Sequence, residues 1–248
     1  MQKELPAALS RAQMLITDSA YTRTELMEFF CLDPERVVAV PLAASAEFFP
    51  RDSDSTRSAL NQLGLVHGCY SLYVGTIEPR KNLDLLLDAY SAIALPLRRR
   101  FPLVIAGYRG WHSDALLQRI AKARAAGWVR YLDYVDDASM PSLFAGARMF
   151  AFPSRYEGFG LPVLEALQSG VPVVCSNATS LPEVAGGSAA MCDVDDVDGF
   201  TAAITRALED NSWREASVSS GLVHASRFSW KETARKTVEV YRTVMGQQ

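Results

Sequence analysis

At 248 residues, with 49% hydrophobic and 21% charged side chains and a net charge of -3, the chain has a globular composition large enough for one domain and part of another. That charge balance gives no reason to expect a nucleic-acid partner. No apolar run approaches the roughly 20 residues of a membrane span, and the first twelve residues carry mixed charges and a proline where a signal peptide would have an apolar core.

Taken in order, residues 1–50 read as a helix, a strand over 14–17, a helix over 21–30 and a strand over 37–40. They break at Pro41 and end in Phe48-Phe49-Pro50. A strand and helix with no partner strands before them look like the tail of a larger N-terminal domain. From residue 51 a polar segment and a short helix lead to a strand over 70–74, a basic loop and a helix over 83–94. Strands are expected over 103–106, 129–132, 149–152, 171–175 and 188–192, with helices over 114–126, 139–145, 162–170, 199–210, 212–226 and 230–245 and a turn at 181–183. Alternating short apolar strands and helices indicate an α/β fold with a doubly wound, Rossmann-like parallel sheet. Such sheets bind ligands at the carboxyl ends of their strands, so the loops after Val74, Ala106, Leu132 and Phe152 should crowd around one crevice.

The stretch 149–172 is the most informative. Its apolar strand ends at Pro153-Ser154, and Gly158 and Gly160 allow a tight loop whose backbone can approach a ligand. Pro162 suits the first turn of the helix that follows, and Gly170 before Pro172 closes it. Glu157 then stands in the loop and Glu165 about one turn inside the helix. A fully helical stretch would separate them by about 12 Å, whereas glycosidase carboxylate pairs work at roughly 5–9.5 Å. Two clamps on one elongated ligand fit better, with the free N–H groups of the helix N-terminus between them to attract phosphate. A diphosphate flanked by two hydroxyl-bearing sugars matches that layout.

The loop Gly75-Thr76-Ile77-Glu78-Pro79-Arg80-Lys81-Asn82 supplies a guanidinium fork and a point charge at the end of a strand. It lacks the P-loop pattern, and Gly158-Phe159-Gly160 completes only part of a dinucleotide fingerprint. The acidic run 193–198 has Val197 and Ile204 where a calcium loop needs oxygen ligands, so helix capping is expected there. His67, His112 and His224 are isolated, and no metal is implied. Arg98-Arg99-Arg100 falls short of the four to eight charges of a lipid-binding cluster and reads as a solvated helix end. Asn177-Ala-Thr179 matches a glycosylation sequon without a secretion signal. Cys31, Cys69, Cys175 and Cys192 have no C-x-x-C spacing and read as reduced core residues of a cytoplasmic protein.

Together these segments resemble the group 1 (family 4) retaining glycosyltransferases, whose two Rossmann-like domains form the GT-B fold. The most specific element is Glu157-Gly-Phe-Gly-Leu-Pro-Val-Leu-Glu165, similar to that family's E-x7-E signature. Support comes from the 75–82 loop, Ile105-Ala-Gly107, Gly170-Val-Pro-Val-Val174, Ser180-Leu-Pro-Glu-Val-Ala185, Phe228-Ser-Trp230 and, near the start, Thr17-Asp-Ser-Ala-Tyr-Thr22 and Val40-Pro-Leu. The resemblance implies the C-terminal, donor-binding half of the fold with a short remnant of the N-terminal domain. Residues 1–50 would be that tail and the linker, 51–228 the donor domain, and 229–248 a helix returning toward the missing part.

It further implies that Glu165 holds the ribose hydroxyls and Glu157 the donor hexose. The amides of Phe159, Gly160 and Leu161 would face the diphosphate and sugar, and Lys81 would neutralise the leaving diphosphate. Many members carry arginine where Thr76 follows Gly75; here Arg80 would replace it. The expected activity is transfer of a hexosyl group, leaning to mannosyl, to a glycan or lipid-linked acceptor, without a cofactor. GDP-mannose is favoured over UDP-sugars from the form of the basic loop. The alternative is a nucleotide-sugar binding module that is inactive alone or needs a partner chain. The expected location is cytoplasmic, with at most peripheral contact at the inner face of the membrane.

Overall fold

A computed structural model describes residues 4–246, so the ends of the two terminal segments, 1–3 and 247–248, lie outside the described residues. The helices are α1 (Glu4–Arg11), α2 (Ala20–Phe30), α3 (Ser53–Gln62), α4 (Leu83–Ala92), α5 (Leu95–Arg100), α6 (Asp114–Ala125), α7 (Met140–Ala145), α8 (Leu161–Gln168), α9 (Leu181–Ala185), α10 (Val197–Glu209), α11 (Asn211–Ala225) and α12 (Trp230–Gly246). The strands are β1 (Leu15–Thr17), β2 (Val37–Ala39), β3 (Ser71–Val74), β4 (Leu103–Ala106), β5 (Val129–Asp133), β6 (Met149–Phe152), β7 (Val173–Ser176) and β8 (Ala190–Cys192).

Six strands form one all-parallel sheet in the order β5-β4-β3-β6-β7-β8, and β1 and β2 pair separately, also in parallel. Every residue of β4, β6 and β7 is buried. That explains their almost wholly apolar runs, since a parallel sheet is covered on both faces. Helix α4 packs with α6 and α10 in one layer, and α3, α7, α8 and α11 make the other. The chain lays β3, β4 and β5 outward in one direction, then returns to place β6 on the other side of β3. The topological switch point therefore lies between β3 and β6, where open α/β sheets take their ligands.

Several elements differ from the sequence reading. The turn at 181–183 is the short helix α9, because Pro182 stands in a first turn, where a missing N–H is harmless. The helix over 83–94 ends at Ala92, and Pro96 likewise starts a separate helix, α5. Strand β7 begins at Val173 rather than 171. The Val171 amide is spent on Ala166 O at 3.0 Å, closing α8 around Gly170 (φ +71°). The cysteines are all free, but only Cys175 is buried; Cys31 and Cys69 are exposed and Cys192 is half-buried. Cys31 terminates α2 in the left-handed conformation, and Cys69 lies in the loop before β3, so neither joins the core its apolar neighbours suggested.

Helix α12 lies against the N-terminal segment. Thr233 Oγ1 donates to Pro41 O at 2.7 Å, and Met14, Ile16, Val240, Tyr241 and Met245 line a shared groove of about 570 Å³.

Candidate active site

Strand β3 hands over to its loop at Gly75, whose amide donates to Ala106 O at 3.0 Å. At the matching position after β4, Gly107 has φ +153°, and a Cβ there would sit 1.9 Å from Gly75 O. Only glycine lets these two backbones touch. Bonds from Ile77 N to Tyr108 O (2.9 Å) and from Gly110 N to Ile77 O (3.0 Å) continue the seam, with Thr76 left exposed at its edge. Arg80 and Lys81 stand in a 3-10 turn, Pro79–Lys81, rather than on a helix. Asn82 ends that turn at φ +56°, and its buried Nδ2 donates to Pro153 O at 3.1 Å and Val194 O at 2.8 Å. The basic loop is thereby pinned to the loop after β6.

Across the switch point, Glu157 meets both cations. Its Oε1 accepts from Lys81 Nζ at 2.6 Å and from Ser154 Oγ at 2.6 Å, while Oε2 pairs with Arg80 Nη1 at 3.0 Å. Lys81 and Glu157 are each 8% exposed, so this pair is shielded from salt and its removal would be felt. Lys81 Nζ also lies 5.0 Å from the centre of the Phe152 ring. Arg80 reaches in three directions, to Glu157, to Glu78 at 2.7 Å and to Tyr156 O at 2.6 Å. Trp111 Nε1 holds the other Glu78 oxygen at 2.9 Å.

The Glu157 backbone is fixed as firmly as its carboxylate. Its amide donates to Thr179 Oγ1 at 3.0 Å, and Ser180 Oγ donates to Glu157 O at 3.0 Å and Phe159 O at 2.8 Å. Beyond it, the amides of Gly158, Phe159, Gly160 and Leu161 donate to no described residue. The Phe159 ring turns away into the core, its centroid 6.0 Å from that of Phe228, which leaves only its backbone for a ligand. Gly160 adopts φ +107°, and a Cβ there would come within 2.6 Å of Leu181 Cδ2. These open N–H groups, at the positive end of α8, form an anion cradle beside two cations.

Glu165 is half-buried on α8, and its carboxyl group makes no hydrogen bond to a described residue; burial pushes it up to about 7. It does not join the Glu157 cluster. The structure thus brings Arg80, Lys81, Glu157 and the glycine loop together and leaves Glu165 separate, further along the helix that carries the cradle.

Ser154, Asn82, Thr179 and Ser180 hold this arrangement, and the sequence reading gave none of them a positioning role. The available signal was their place: each follows a buried parallel strand near its carboxyl end, or stands beside a residue that does. A second missed layer comes from α2. Thr22 Oγ1 donates to Gly158 O at 3.1 Å, Tyr156 donates to Glu25, and Glu183 accepts from the Ala20 and Tyr21 amides at 3.0 and 3.2 Å. The Glu25 bond, then burial, raises the Tyr156 phenol to about 12. A groove of about 600 Å³ runs along α2 beside this seam, but its charged groups are Glu25 and Glu28, which do not suit an anion.

Among the described residues no group of three His, Cys, Asp or Glu side chains is placed to hold a metal ion, and no helix is long and apolar enough to cross a membrane.

Comparison with known proteins places this geometry among relatives. The family profile described as glycosyl transferases group 1 matches residues 67–222. O-antigen chain mannosyltransferase B of Escherichia coli is 44% identical over 242 residues, covering 98% of this chain and 64% of the relative. The serotype-specific mannosyltransferase WbdA of the same species is 31% identical over 245 residues, 96% of this chain and 30% of that one. The chain therefore spans less than two thirds of the length of these relatives. Among solved structures, Anabaena Alr3699/HepE in complex with UDP and glucose superposes with a TM-score of 0.81 at 18% identity, over 93% of this chain and 63% of that chain. WaaG, a glycosyltransferase involved in lipopolysaccharide biosynthesis, gives 0.78 at 17% identity, over 94% and 66%. These two likenesses establish a shared fold.

Proposed function

This chain belongs to the glycosyl transferases of group 1, and from that premise we propose that it forms the donor site of a retaining enzyme that moves a hexosyl group, mannosyl by preference, from a nucleoside diphosphate sugar to a glycan or lipid-linked acceptor. The observation that carries the proposal is the juxtaposition of Lys81 and Arg80, through Glu157, with four consecutive amides, 158–161, that have no acceptor among the described residues.

When the glycosidic bond loosens, negative charge grows on the diphosphate. Cations and amides already aimed at it stabilise that charge more in the transition state than in the ground state. Lys81, Arg80 and the cradle take this role. Glu157 is held beside them by Ser154 and orients the hexose, while Glu165 accepts hydrogen bonds from the ribose. Gly75 and Thr76 line the phosphate side. No residue here is placed as a nucleophile, and no step requires a metal.

The preference for mannose is supported by the two Escherichia coli mannosyltransferases, and GDP is favoured from the Glu78-Pro-Arg-Lys-Asn82 form of the loop. The acceptor would be held chiefly by sequence that the longer relatives have in addition, with residues 1–50 and 229–248 as the junction to it.

Titration calorimetry with GDP and UDP tests the reading. Binding of one nucleoside diphosphate, weakened by Glu165→Ala and by Lys81→Ala, is the expected result. A chain that binds neither diphosphate refutes the donor site.

A further inference from the structure

The chain supplies two sheets, and their carboxyl ends converge on the same loop. Strand β1 ends at Thr17, and Asp18 is the first residue beyond it, the position from which a parallel sheet contacts ligands. Its neighbours are spent locally. Thr17 Oγ1 donates to Ser19 O at 2.9 Å, and Ser19 Oγ caps α2 by accepting from Thr22 N at 3.0 Å. The Asp18 carboxylate, half-buried, makes no hydrogen bond or ion pair with any described residue.

What it faces is Gly158. A Cβ on that glycine would lie 3.0 Å from Asp18 Oδ2 and 3.5 Å from Oδ1. Gly158 is not among the glycines with positive φ, so its backbone conformation does not demand glycine. The absent side chain instead leaves room for the carboxylate. One turn further on, Thr22 Oγ1 bonds Gly158 O at 3.1 Å and fixes the approach.

An ionised carboxylate only accepts hydrogen bonds, so its partner must be a donor. A diphosphate offers none and carries the same charge. Sugar hydroxyls are donors, and Gly158 adjoins Glu157, the residue given the hexose above. The loop is thus polarised, with carboxylates at its start and open amides toward its end. We propose that Asp18 accepts a hydrogen bond from a hydroxyl of the donor hexose, so that the transferred sugar lies between Asp18 and Glu157. The inference rests on the donor-site reading and adds that the segment before residue 51 contacts the donor.

The experiment compares GDP with GDP-mannose, and UDP with UDP-glucose, on the parent chain, Asp18→Asn, Asp18→Ala and Gly158→Ala, each checked for an unchanged thermal midpoint. The parent should bind the sugar nucleotide more tightly than the bare nucleotide. Loss of a hydrogen bond to a charged group corresponds to about tenfold or more in affinity, and Asp18→Ala should lose that factor for the sugar nucleotide alone. Gly158→Ala, which displaces the carboxylate, should lose part of it. The Asp18 contact is refuted if the variant keeps the advantage of the sugar, if it weakens bare nucleotide equally, or if the parent gains nothing from the sugar. A parent that binds no nucleotide at all instead refutes the donor site itself.

Discussion

Lys81→Met separates the two roles that the basic loop plays, since Lys81 both neutralises a buried carboxylate and faces the proposed diphosphate. Breaking a buried pair and stranding its partner costs about 3–5 kcal/mol. Here Glu157 is not stranded, because Arg80 stays 3.0 Å and Ser154 Oγ 2.6 Å away. With two of three partners kept, the stability loss should fall to about 1–2 kcal/mol, read from urea unfolding. Binding should suffer more. A charge-assisted bond to phosphate contributes about 1.5–3 kcal/mol, or roughly 10- to 100-fold in Kd. Arg80, drawn fully onto Glu157, would not replace it. Calorimetry should therefore show GDP weakened by that factor and guanosine unaffected. The double variant Lys81→Met with Glu157→Gln should regain stability but not affinity. Recovery of GDP binding in the double variant, or a single-variant affinity within about twofold of the parent, well short of one lost charged hydrogen bond, would refute the assignment.

Glu165 gives a pH signature. Its folded carboxyl titrates near 7 through burial, so between its ordinary value and 7 the folded state holds a proton that the unfolded state has lost. Stability should fall as pH rises through that window, by on the order of 2 kcal/mol after allowance for partial exposure. Glu165→Gln should abolish the drop, and it should also flatten the rise in nucleotide affinity expected from pH 6 to 8 as the carboxylate ionises. Gly107→Ala would drive a Cβ into Gly75 O, and should cost about 3–5 kcal/mol in chemical unfolding together with GDP binding. Nucleotide binding should survive a strong chelator; its loss, restored by a divalent cation, would overturn the metal-free mechanism.

The sheet and the signature loop were legible because their information is local. Buried parallel strands are apolar runs of four or five residues, and a glycine loop followed by Pro162 marks a helix start with open amides. Lys81 and Glu157 could be nominated singly for the same reason. Their contact could not, because it depends on strand order: β3 and β6 are neighbours only because the order in which strands are added reverses at β3. Ser154 and Thr179 were hidden for a related reason. Each looks like ordinary turn punctuation until the fold brings it against the Glu157 carboxylate or amide. Helices α5 and α9 were missed where the sequence reading ended a helix at 94 and expected a turn at 181–183; Pro96 and Pro182 stand in their first turns. Asp18 and Gly158 are 140 positions apart, and neither residue type signals the other.

The adjacent arginine and lysine read in sequence as a guanidinium fork and a point charge, and the geometry adds the carboxylates that neutralise them. Arg80 and Lys81 are matched by Glu78 and Glu157, two cations against two carboxylates within hydrogen-bonding distance. A closed cluster of this kind exerts little long-range field, so capture of the proposed donor would depend on contact rather than on steering. It also holds the cations where the proposed diphosphate would enter. Under the proposed function, a diphosphate entering the cradle would offer Lys81 and Arg80 better-matched acceptors than the single Glu157 carboxylate, and each bond it took over would release part of Glu157. Ser154, bonded to the same Glu157 oxygen as Lys81, would keep that carboxylate in position if the lysine turned to the diphosphate. Under the proposed function, the carboxylate that fills the clamp at rest would thereby be handed to the sugar when the diphosphate arrives, so that one side chain would serve the empty and the loaded site in turn.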